Sequence, residues 1–292
     1  MKKQTNILRR ILLTFILGLQ ISVSLFAQSK PAYIIYNSNG KKVSYAKMHR
    51  AAASSDMVLF GEQHNNAIAH WLQLELTKDL LQERALTLGA EMFEADNQDA
   101  LNKYLSGNIT VKKLDSIARL WPNFTTDYKP LVDIAKDSHL VFVATNIPRR
   151  HAGLVAKGGF ERLDTISAQE KKWIAPLPIA YDSTLSQYEN MIQMMGGHGG
   201  ANMPKAQAIK DATMAYFILQ NYKPDSLFIH FNGAYHSDYY QGILWYLKNK
   251  QADLMYTTIS TVTQTDISSL DEENIGKADF IICVDEDVTT TY

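Results

Sequence analysis

An α/β fold is what this sequence predicts: a mainly parallel sheet with helices on both faces and a helical lid or insertion. Three observations lead there. Short apolar runs recur five times, at 57–60, 86–90, 140–145, 227–231 and 254–259. The segments between them place apolar residues at helical spacing, as Ile68, Leu72, Leu76 and Leu80 do. An acid, amide or imidazole follows most of the runs. Strands buried on both faces read as continuous apolar stretches, and strands alternating with helices build parallel sheets.

The chain has 292 residues, 46% of them hydrophobic, which suits one substantial domain of this class. Its 29 Lys and Arg balance 30 Asp and Glu, so no overall field attracts nucleic acid. Residues 1–27 show the three-part layout of a signal peptide: a basic start (Lys2, Lys3, Arg9, Arg10), an apolar stretch, and a small residue at Ala27. This predicts an exported, soluble periplasmic protein with a mature domain over 28–292. Cys283 is the single cysteine, so no intramolecular disulfide and no lipidated cysteine at the signal end are expected.

In chain order, Tyr33-Ile34-Ile35-Tyr36 before Asn37-Ser38-Asn39-Gly40 predicts an edge strand and turn. A short helix over 45–53 leads into the first core strand, and Gly61 permits a tight turn before a helix reaching about Arg84. The run at 86–91 again ends in an acid, Glu91. Two helices, 111–119 and 128–136, flank Trp121-Pro122-Asn123, where proline blocks continuation. Then comes the clearest strand, ending at Asn146, with Pro148 suited to the first turn of the next helix. From 156 to 204 the pattern breaks into a Gly-, Pro- and Met-rich stretch, the predicted lid or insertion. Here Tyr188, Met191, Met194 and Met195 offer an adaptable apolar surface beside His198. A helix over 205–222, strands at 227–231 and 254–259 around a helix at 239–249, and a late edge strand at 280–284 complete the series.

If the strands are parallel neighbours, their C-terminal ends bring Glu62, His64, Glu91, Asn146 and His236 to one edge, where open α/β folds build their sites. Carboxylates and imidazoles of this kind hold a divalent metal or perform acid–base work near neutral pH. The plainer alternative is that Glu62 favours a helix start and His64 bonds a nearby carbonyl. No phosphate-binding loop, His-Glu-x-x-His, Gly-x-Ser-x-Gly or Cys/His zinc spacing is present. Cys283, in an apolar strand pattern, reads as core.

Several short motifs, in order, resemble the ChaN-like haem-binding proteins, within a superfamily that includes erythromycin esterases and Tiki-like proteins. They are Leu59-Phe60-Gly61-Glu62-Gln63-His64, Ala90-Glu91-Met92-Phe93, Asn146-Ile147-Pro148-Arg149, Ala206-Gln207 with Asp211-Ala212-Thr213-Met214-Ala215, and Asn232-Gly233-Ala234-Tyr235-His236 before Gly242-Ile243. The resemblance implies an α/β fold, haem binding in iron uptake, a homodimer around cofacial haems with tyrosine ligation, and envelope uptake components as partners. It also makes Glu62, His64, Glu91 and His236 the superfamily's site positions, for catalysis or a divalent metal. Tyr188, His198 and Tyr235 stand as haem candidates. The alternative function is a metal-dependent or Glu/His-based hydrolase.

Overall fold

In the computed structural model the described residues are 30–194 and 200–292, and Tyr33–Tyr292 form one unit. The sheet grows from strands whose both faces are covered. Strand β3 (Met57–Glu62) is buried at every residue, as are β4 (Leu86–Glu94) and β6 (Leu227–Gly233). With β1 (Tyr33–Asn37), β2 (Lys42–Val43), β5 (Val141–Asn146), β7 (Tyr256–Gln264) and β8 (Phe280–Asp285) they form one sheet in the order β2-β1-β8-β7-β3-β6-β4-β5. All neighbouring pairs from β8 to β5 are parallel, while β1 runs antiparallel to β8 and β2.

Two features of the order differ from the sequence reading. Strands β3 and β4 are not neighbours, because β6, which arrives much later in the chain, pairs with both. Strand β8 lies inside the sheet, not at its edge, because the β1–β2 hairpin folds back along its outer side. Pairing order is a long-range property, and no local pattern encodes it.

The alternation of β3 assigns the two faces. Val58 and Phe60 pack with α1 (Tyr45–Ala53), α2 (Ala67–Leu81), α3 (Gln98–Leu105), α4 (Val111–Ile117) and α5 (Lys129–Asp137). Met57 and Leu59 pack instead with α8 (Met203–Asn221) and α9 (Ile243–Lys250). Between β5 and α8 run α6 (Arg149–Gly158), a stretch of short turns, and α7 (Ser186–Met194). Helix starts follow the sequence: Ser44 accepts from the Lys47 amide, Asn66 from the Ala69 amide, and proline occupies the first turns of α5 and α8. Cys283 is fully buried, and burial pushes its thiol up to about 12, as befits a core residue.

No helix among the described residues is long and apolar enough to cross a membrane. The predicted signal segment and two members of the predicted lid surface, His198 and Met195, lie outside the described residues.

Candidate functional site

The loop after β3 carries the first half of the site. Glu62 ends the strand with its side chain buried, and a buried carboxylate must have its oxygens satisfied. Oε1 accepts from the Tyr128 hydroxyl at 2.7 Å and lies 2.9 Å from Nδ1 of His64. Oε2 accepts from the Gln73 amide at 2.6 Å. The His64 backbone is held as firmly, because its carbonyl accepts from Asn123 at 2.9 Å and lies 3.1 Å from Nε2 of His70. Trp121 meets the His64 ring edge-on at 4.8 Å between centroids. Burial works to lower the His64 pKa, but the hydrogen bond to Glu62 and the charges of Glu91 and Glu62 prevail and raise it.

The second half comes from β4, β6 and α8. Glu91 accepts from the Gly233 amide at 2.8 Å and lies 3.1 Å from Nε2 of His236. On the other side of that imidazole, Nδ1 is 2.5 Å from Asp211 of α8. Asp211 in turn accepts from the Tyr188 hydroxyl at 2.9 Å. Burial opposes charge on His236, yet Glu91 and Asp211 hold its pKa up to about 9. Burial likewise opposes ionisation of Glu91, and His236 with the Gly233 amide outweighs it, keeping the carboxyl well below its usual range.

The halves meet across β6. The predicted convergence of Glu62 and Glu91 therefore takes place over an intervening strand, and Gly233 of that strand makes it possible. A Cβ there would stand 2.9 Å from the His64 ring and 3.5 Å from a Glu91 oxygen. Glu62, His64, Glu91, Asn146 and His236 all line one polar cleft of about 790 Å³, with Tyr235.

Both haem candidates among the described residues are engaged. Tyr188 is buried and donates to Asp211, and the Tyr235 hydroxyl donates to the Gln187 carbonyl. A second, mainly apolar groove of about 550 Å³ lies along α8. Ala212, Ala215 and Leu219 line it from the helix, together with Pro178 and the exposed Lys250. Tyr216 also lines it, and its hydroxyl makes no hydrogen bond among the described residues. Among the described residues, no group of three or more His, Cys, Asp or Glu is arranged to hold a metal ion.

Sequence reasoning passed over Asp211, Gln73 and Tyr128 as site residues. For two of them a signal was there: Gln73 sits beside Leu72 and Leu76, and Asp211 beside Ala208 and Ala212, each a polar residue buried amid a helix's apolar residues. Such positions need a dedicated partner.

Residues 48–247 match the profile of a family described as haem-binding uptake, Tiki superfamily, ChaN. Among solved structures, the chain is similar to ChaN of Campylobacter jejuni, described for cofacial haem binding, with a TM-score of 0.65 and 16% identity over 87% of this chain and 98% of that one. An erythromycin esterase variant in its open conformation aligns with a TM-score of 0.50 and 10% identity, over 86% of this chain and 97% of that one. Of curated sequences, the chloroplast protein RETICULATA-RELATED 5 of Arabidopsis thaliana is 24% identical over 164 residues, 51% of this chain. The match spans 22% of that relative's own length.

Proposed function

The chain belongs to the ChaN family of haem-binding uptake proteins in the Tiki superfamily, and on that premise we propose that it binds haem in the apolar groove along α8. The observation that carries the location is the Tyr216 hydroxyl in an apolar wall, which has no hydrogen-bond partner among the described residues. A porphyrin needs apolar contact on its faces, an oxygen, nitrogen or sulfur donor for iron, and cations for its propionates. Ala212, Ala215, Leu219 and Pro178 supply the first, Tyr216 the second and Lys250 the third. The polar cleft suits a porphyrin poorly, and Tyr188 would have to abandon Asp211 to reach iron.

Titration of the purified protein with hemin should give a shifted Soret band at fixed stoichiometry, and absence of a shift at micromolar protein would overturn haem binding. In Tyr216→Phe the band should move or weaken, whereas Tyr188→Phe, Tyr235→Phe and His198→Ala should retain it. If one of those three loses the band instead, the ligand lies there and the groove assignment is wrong.

The signal-peptide layout of residues 1–27 supports export to the periplasm, and the family description supports a role in haem uptake, for which the proposal is a homodimer that works with envelope partners. Gel filtration with and without hemin tests the dimer. A second reading is favoured by one observation: two imidazoles line a common cleft, His64 paired with Glu62 and His236 held between Glu91 and Asp211. That is equipment for hydrolysis, with His64 moving a proton at Nε2 and Glu91 held as the anion. Ester and peptide panels run with and without Mn²⁺ or Zn²⁺ test it, and equal turnover in Glu62→Gln would remove Glu62 from any such role.

A further inference from the structure

The polar cleft carries a pattern of charge that neither reading above uses. Its acids are answered from within. Glu62 has Tyr128, Gln73 and His64; Glu91 has His236 and the Gly233 amide; Glu94 has Arg119. Asp238 accepts from Ser260, and burial pushes its pKa up to about 6, leaving Glu273 as an exposed acid at the rim. Beyond Arg119, the cations are not answered among the described residues. Arg149, Lys210 and Lys277 line the cleft, and the side chain of none of them makes a hydrogen bond or an ion pair with a described residue. Lys210 and Lys277 feel Asp211 and Asp238 only at longer range.

Two uncharged atoms in the same wall are also without partners. Asn146 donates to the Glu91 carbonyl through Nδ2, but its Oδ1 is buried with no donor. A buried unsatisfied acceptor is rare in folded proteins and marks a place where a donor is missing. Among the described residues, Nε2 of His64 has no hydrogen bond, since that ring's one bond is at Nδ1.

We propose that the cleft is a binding site for a small hydroxylated phosphate ester: Arg149, Lys210 and Lys277 receive the phosphate, and Asn146 Oδ1 accepts a hydroxyl of the organic part. Three unpaired cations call for a compact multivalent anion, and a buried carbonyl oxygen calls for an O–H or N–H donor. The chemistry on offer is therefore an anion joined to a polyol, unlike a flat apolar macrocycle. The assignment rests on the second reading only in taking this cleft as the working site, and it does not need turnover.

The test is isothermal titration of the full chain with glycerol 2-phosphate, inorganic phosphate and glycerol as separate probes. Glycerol 2-phosphate should bind with one-to-one saturation, inorganic phosphate more weakly, and glycerol not at all. Arg149→Gln and Lys277→Gln, at an exposed and a half-buried position, should each weaken both anions roughly fivefold to tenfold. Asn146→Leu should erase the preference for the ester over inorganic phosphate. Unsaturable binding, or unchanged affinity in the Arg149→Gln/Lys277→Gln double variant, would overturn the proposal, and a retained preference in Asn146→Leu would remove Asn146 from it. Ester binding without turnover would count against hydrolysis alone, and turnover of an uncharged ester without phosphate binding would count against this inference alone.

Discussion

His64 lies against the backbone of Gly233, so close that a Cβ on the glycine would fall 2.9 Å from both Cε1 and Nε2 of the imidazole. Real carbon atoms do not approach to that distance, so an alanine at 233 must move the ring. Gly233→Ala should break the hydrogen bond to Glu62 and release His64 toward the ordinary histidine pKa of 6.5. An NMR titration of the His64 Cε1 proton reads this directly, and an unchanged, raised midpoint would show that the contact does not position the ring.

Tyr128 supplies one of the donors that satisfy buried Glu62. Tyr128→Phe keeps the ring and deletes the hydroxyl, leaving a buried carboxylate short of a partner. The expected loss is about 1–3 kcal/mol in urea unfolding. A loss below a few tenths would mean that water replaces the hydroxyl.

Two buried histidines should bound the pH range of stability from opposite sides. His236 has its folded pKa raised to about 9 from 6.5, so its contribution is full below 6.5 and fades as pH rises through 9. His230, held at Nδ1 and Nε2 by Asn232 and Thr145, is fully buried, and burial lowers its pKa to about 4. Its contribution is present above 6.5 and is lost as pH falls through 4. Urea midpoints should therefore peak near neutrality, and His236→Gln should flatten the alkaline side.

Asn66 caps α2 by accepting from the Ala69 amide at 3.0 Å, two residues beyond His64. Asn66→Ala should destabilise the protein by about 1 kcal/mol. Hydrogen exchange at Ala69 should rise locally, and no change there would refute the capping role.

The strands and most helices were legible because burial on both faces writes continuous apolar runs and helix faces write period-3.6 stripes. Glu62, His64, Glu91, Asn146 and His236 were legible as strand-end residues for the same reason. Their mutual arrangement was not, since it depends on β6 inserting between β3 and β4 and on Gly233 being small enough to let both halves meet. Tyr216 gave no signal either. One tyrosine among 15 becomes distinctive only when its place in the apolar groove is known.

Helix α8 contributes Gln207 and Lys210 to the cleft, Asp211 to the His236 behind its wall, and the adjacent Ala212, followed by Ala215 and Tyr216, to the groove. A single rigid rod thus borders both cavities, and its position is one variable shared by two equilibria. Any occupant of the groove that shifts the rod changes how well Asp211 meets His236, and by thermodynamic reciprocity protonation at His236 changes the affinity of the groove by the same factor. A haem titration repeated across the His236 transition is therefore also a measurement of mechanical coupling through one helix.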